Sequence, residues 1–157
     1  MSEPQHPHRH AVECYGATRI QAGRKANEDA FVIEREPVPY AALFDGAGNA
    51  EQAAHRVARF FKVLIRHQAA KVCDPAAWAG WVRLMDSQLL GGTQSTFVGA
   101  AVPDVGQGLV VGAYAGNSRA YLAGEDGVRL LTVESSLGRL GSGRALAKTF
   151  SLRLTPH

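Results

Sequence analysis

Glu28 and Asp29 form an acidic pair directly before the apolar run AFVI, and Arg24 stands four residues ahead of them. A second carboxylate, Asp45, closes the apolar run AALF and is followed at once by Gly46, then by Ala47, Gly48 and Asn49. Carboxylate and carbonyl oxygens suit hard divalent ions, and a glycine beside an acid lets its backbone carbonyl come close to one. If Glu28 and Asp29 are both extended, their side chains point to opposite sides. One then reaches a site while the other secures the backbone or a neighbour. A third segment, GAYAGNSRAYL from Gly112 to Leu122, reads as strand, tight turn and strand, with Asn117, Ser118 and Arg119 at the turn. Taken singly, an acid-glycine step is a turn and an Arg near a Glu is a surface ion pair. The order of the three is what carries information.

These residues need elements to position them. ECYGATRI, AFVIERE and PYAALF are short runs rich in Val, Ile, Phe and Tyr, bounded by Gly, Pro and Asp, and read as strands. In the stretch that follows, Ala50, Ala53, Ala54, Val57, Phe61, Leu64 and Ile65 recur at helical spacing with basic residues between them. Asp74-Pro75 supplies an N-cap and a proline at the first position of a second helix, which ends before Gly91-Gly92. His55, His67, Trp78 and Trp81 fall on these helices and are assigned to packing or to a solvated face. STFVGAAV, GLVVGAYAG, SRAYLAG and VRLLTV then read as a meander of four antiparallel strands. Strands, two helices, strands is the order of an α+β fold with helices segregated from an antiparallel sheet.

The 157 residues fit one core, and 46% hydrophobic with 20% charged residues excludes a disordered or disulfide-stapled chain. The net charge of +3 is scattered rather than gathered into a basic stripe, which argues against nucleic acid as a partner. No apolar run approaches the roughly 18–20 residues of a membrane span, and the polar opening MSEPQHPHRH is no signal peptide. A cytoplasmic location with no membrane partner is expected. Cys14 and Cys73 form no C-x-x-C pair and are read as reduced thiols. His6, His8 and His10 alternate in a way that could catch a transition metal, against the plainer reading of a solvated tail.

In this order the segments resemble the metal-dependent protein phosphatases of the protein phosphatase 2C (PPM) family. The family pattern is an Arg four residues before Glu-Asp, an apolar strand ending in Asp-Gly, two helices, a Gly/Thr-rich strand and a G-D-S-R hairpin. Here it reads Arg24 to Glu28-Asp29, LFDGAGN, the two helices, GGTQSTFVGAAV and AGNSRAYL, with LLTVESS where the family often has L-T-x-D-H-S. The resemblance implies an antiparallel β-sandwich flanked by helices, a cleft holding two Mn²⁺ or Mg²⁺ ions, and hydrolysis of phosphoserine or phosphothreonine in a phosphoprotein. Carried over by position, it makes Asp45 the bridging ligand, gives Glu28 and the Gly46 carbonyl to one side of the metal site, and sets Arg24 on the substrate phosphate. Asp29 becomes a supporting acid. Asn117 stands where the family has the G-D-S-R acid.

The match covers about residues 13–136, leaving 1–12 as a disordered tail and 137–157 as a divergent, flexible one. The chain ends at His157, before the D-G-x-x-D segment and the final Asp-Asn of the family. The expectation is therefore a C-terminally shortened phosphatase domain, weak or inactive for want of the distal acids. An open sheet edge would favour self-association. The alternative function is a non-catalytic phosphatase-like module that binds a phosphoprotein through Arg24.

Overall fold

The computed structural model describes residues 12–20, 22–23, 26–47, 51–89, 91–133 and 138–154. Arg24, the three N-terminal histidines, Gly48-Asn49 and Glu134-Ser135-Ser136 lie outside the described residues. The elements run β1 (Asp29–Glu34), β2 (Tyr40–Ala47), α1 (Glu51–His67), a 3-10 turn (Ala69–Lys71), α2 (Pro75–Gln88), β3 (Gln94–Ser95), β4 (Phe97–Asp104), β5 (Leu109–Ala115), β6 (Tyr121–Gly124), β7 (Gly127–Leu130) and β8 (Lys148–Arg153). The main sheet has the order β1-β2-β4-β5-β8, every pair antiparallel, and β3 pairs with the far end of β2. β6 and β7 form a separate two-stranded sheet.

Strand alternation divides the main sheet into two faces. Ala42, Phe44, Phe97, Ala113 and Ala115 are buried in one core with Val57, Phe61, Ile65, Trp78, Val82 and Met85 of the two helices. The Phe61 ring stands 6.0 Å from Phe44, 5.2 Å from Phe97 and 5.9 Å from Trp78, so one aromatic side chain of α1 links both strands to α2. Each such side chain contributes about 1.5–3 kcal/mol by leaving water. Asp74 caps α2 as its sequence requires, its carboxylate accepting from the Ala76 N–H at 2.9 Å. Trp78 and Trp81 pack inside with their indole N–H groups bonded to the Val72 carbonyl and Gln68, and His55 and His67 face solvent.

Three segments differ from the sequence reading. Residues 13–20 form no strand; part of this stretch crosses the face away from the helices, where Gly16 lies against Phe31 and Ile33. The four-strand meander breaks after β5, because β6 and β7 pair only with each other. Their place beside β5 is taken by β8, which comes from the stretch read as a flexible tail. That stretch is held from its start. Leu140 is fully buried and exchanges backbone hydrogen bonds with Ser95, while the Asp86 carboxylate of α2 accepts from the N–H groups of Gly141, Gly143 and Ala145. Its Gly/Ser content supplies a turn wrapped on a buried leucine, with Gly141 at φ +85°. Residues of that stretch cover the β5 edge of the main sheet, whose outer strands are β1 and β8.

Candidate functional site

The site forms where β1 begins and β2 ends. Asp29 and Asp45 are register partners, and the Gly46 N–H donates to the Glu28 carbonyl at 3.1 Å. That bond flanks the Asp29–Asp45 pair, which is therefore a non-hydrogen-bonded pair, the kind in which facing side chains approach most closely. Both carboxylates point away from the helices, since Ala30 and Phe44 beside them point inward. Glu28 precedes β1 and escapes strict alternation. The Asn27 side chain turns the chain there by accepting from the Asp29 N–H at 3.0 Å. As a result Glu28, Asp29, Asp45 and Gly46 line one cavity of about 130 Å³, together with Arg19, Ala26 and Asn27.

The electrostatics of this cavity are those of crowded acids. Partial burial raises the Asp45 carboxyl above the usual carboxylate range, the Asp29 charge raises it further, and Glu28 adds to the effect, while the Arg139 guanidinium opposes it. A cation placed among these oxygens would relieve the repulsion.

The Asp45 backbone is fixed from its other side. Its N–H donates to Thr96 Oγ1 at 3.3 Å and its carbonyl accepts from the Thr96 N–H at 2.8 Å. Thr96 Oγ1 in turn shares a hydrogen bond with Ser118 Oγ. This chain of contacts brings the Gly116-Asn117-Ser118 turn to the Asp45 end of the sheet. Gly116 has φ +93°, and a Cβ there would press on Thr96 and on Arg139. Asn117 Oδ1 accepts from Arg139 at 3.3 Å.

The main sheet with both helices on one face superposes on solved bacterial serine/threonine phosphatases. This is the fold of the PPM-type protein phosphatases. Stp1 from Staphylococcus aureus matches with a TM-score of 0.70 at 20% identity, over 88% of this chain and 70% of that one. An arginine variant of a bacterial serine phosphatase matches with a TM-score of 0.70 at 24% identity, over 83% and 66%. PstP/Ppp from Mycobacterium tuberculosis matches with a TM-score of 0.60 at 14% identity, over 82% and 68%. The chain thus spans about two thirds of the length of these phosphatases. No protein-family model and no curated protein matches the sequence.

On this PPM-type scaffold, Glu28, Asp29, Asp45 and Gly46 come together, and Asn117 reaches the same end of the sheet through Ser118 and Thr96. Arg24 lies outside the described residues. Among the described residues no three His, Cys, Asp or Glu side chains are grouped as metal ligands. The oxygens present are of the kind a hard cation takes, from two opposed carboxylates at the ends of adjacent strands, a third acid and a backbone carbonyl, with the Arg19 side chain lining the same cavity. Sequence reasoning missed Thr96, Ser118 and Arg139. Thr96 and Ser118 lay inside segments already singled out, but their mutual contact is long-range. Arg139 carried no signal, because its segment has no family pattern.

Proposed function

We propose that this chain is a metal-dependent phosphatase domain of PPM type, acting on phosphoserine or phosphothreonine in a phosphoprotein. The observation that supports this most is the opposed Asp29–Asp45 pair in a lined cavity on a PPM-type fold. Asp45, Asp29, Glu28 and the Gly46 carbonyl, which line one cavity, would hold Mn²⁺ or Mg²⁺, with water in the remaining positions that such ions accept. A bound ion of this kind supplies positive charge for a phosphoryl group and lowers the pKa of water. The chain's own residues orient the donors. Thr96 holds the Asp45 backbone from behind, Asn27 sets the turn into Asp29, and Arg24 is assigned to the substrate phosphate by its position four residues before the acidic pair.

One specific observation favours a second reading, a phosphatase-like binding module with little or no turnover. Asn117 is neutral where the family has an acid, and its carbonyl oxygen is bonded to an arginine rather than directed to a metal. The test that separates the two is a phosphopeptide assay with Mn²⁺ alongside calorimetric titration of Mn²⁺ and of the phosphopeptide. Metal-dependent release of phosphate that is lost in Asp45→Asn supports the enzyme. Phosphopeptide binding without turnover supports the module.

A further inference from the structure

Arg19 lines the acidic cavity together with Glu28, Asp29, Asp45 and Gly46, and brings a positive charge to it. It belongs to no strand or helix, yet its segment is held at two points. Gly16 lies against the Phe31 and Ile33 side chains of β1, so closely that a Cβ there would collide with the Phe31 ring. Thr18 Oγ1 accepts from the Asn27 side-chain amide N–H at 2.8 Å, and the oxygen of the same amide accepts from the Asp29 N–H at 3.0 Å. Asn27 thus fixes together the residue before Arg19 and the first residue of β1. Arg19 itself is exposed, at the surface side of the cavity rather than in the core. Among the described residues no ion pair closes it onto Asp29 or Asp45, which leaves its fork of N–H donors to a ligand that enters.

We propose that Arg19 is a phosphate-binding residue of this cavity, placed there by the Thr18–Asn27 hydrogen bond. The identity of the anion rests on the phosphatase reading above. The charges are complementary. Three carboxylates outweigh one divalent ion, so a cavity loaded with a single ion and no further cation would repel a phosphate dianion. Arg19 removes that excess. Its guanidinium stays charged at every accessible pH and presents paired donors that match the oxygens of a phosphoryl group. Arg24 is assigned to the same phosphate by its position in the sequence, whereas Arg19 is assigned by its place in the cavity.

The test is a pair of calorimetric titrations on the full chain, Mn²⁺ in phosphate-free buffer and then inorganic phosphate at saturating Mn²⁺, for wild type, Arg19→Gln and Arg19→Lys. Arg19→Gln weakens phosphate binding by about ten- to hundredfold, the scale of charge-assisted hydrogen bonds. Arg19→Lys, which keeps the charge and loses the fork, weakens it less. Mn²⁺ affinity does not fall in either variant. Phosphate binding unchanged in Arg19→Gln overturns the inference, and Mn²⁺ binding that tightens at the same time makes Arg19 a counter-ion of the acids instead. Weaker Mn²⁺ binding in Arg19→Gln also overturns it, because Arg19 then supports the shape of the cavity. Wild type that binds Mn²⁺ and no phosphate overturns the role of Arg19 and leaves the metal reading standing. Wild type that binds no Mn²⁺ overturns the metal reading, and the phosphate titration in EDTA then decides for Arg19: binding weakened by Arg19→Gln sustains its role, and binding that is absent or unchanged overturns it.

Discussion

Asp29 and Asp45 face each other across a non-hydrogen-bonded pair of β1 and β2, with no positive residue between them on those strands. Like charges directly opposite are destabilising in a sheet, and the cost falls where the acids could do chemistry.

The first prediction concerns that cost. Asp45 has its carboxyl raised above its ordinary value of 3.8 by burial and by Asp29. The native state therefore holds the proton more tightly than the unfolded state, and stability falls as pH rises from about that value through the folded one. In metal-free protein at pH 7, Asp45→Asn should be more stable than wild type by up to about 1 kcal/mol, the scale of a solvent-screened cross-strand pair. The gain should shrink as pH is lowered into the carboxylate range. Urea melts at pH 7 and pH 4 measure both, and a variant less stable than wild type at pH 7 would count against it.

Mn²⁺ should reverse the ranking. A ligand that binds only the native state adds RT ln(1 + [L]/Kd), about 2.7 kcal/mol at a hundredfold excess over Kd. Thermal melts with and without Mn²⁺ should show a shift for wild type that is absent for Asp45→Asn and reduced for Asp29→Asn.

Glu34 provides the control at the other end of β1. It forms ion pairs with Lys62 and, at 3.8 Å, with Arg66 on α1, and the hydrogen bond from Lys62 holds its carboxyl below the usual range. The stability this adds is present above the ordinary carboxylate value and is lost as pH falls through the lowered one. Because the pair is solvent-accessible, Glu34→Gln should cost no more than about 1 kcal/mol and leave Mn²⁺ binding unchanged. Loss of metal binding would mean that the cleft extends along the strand.

Asp86 carries the attachment of the segment from Gly138 to Ala147. Removing a carboxylate that accepts from three backbone N–H groups should cost about 2–3 kcal/mol in Asp86→Ala. Hydrogen exchange should quicken at Gly141, Gly143 and Ala145 before it does in β4. Protection unchanged at those amides would show that Leu140 alone anchors the segment.

The β5–β8 pairing rests on a missing side chain. A Cβ at Gly112 would collide with the Gly99 carbonyl and the Phe150 ring. Gly112→Ala should therefore destabilise by about 1–3 kcal/mol and loosen β8 first, which exchange at Lys148–Arg153 would reveal.

The two helices, strands β1, β2, β4 and β5, and the acidic residues at the ends of β1 and β2 were legible in the sequence. Periodicity, the Asp74-Pro75 cap and the acid-glycine step are local properties that a chain expresses wherever it folds. The β6–β7 hairpin was legible as two strands but not as a separate sheet, since its residues carry strand propensity without saying which edge they join. Glu28 escaped the alternation rule because Asn27 ends the coil just before β1 starts. β8 and Arg139 were not legible at all. A Gly/Ser-rich stretch reads as loose until Leu140 finds the core and Asp86, 55 residues before Gly141, supplies the acceptor for its backbone. Residue types and their order thus determined the scaffold and the carboxylates. Tertiary structure decided that Asp29 faces Asp45 while Glu28 stands opposite Gly46 in the same cavity, and that a cation from a distant loop stands beside Asn117. Cross-strand register and long-range packing set those distances, and neither is written in any one segment.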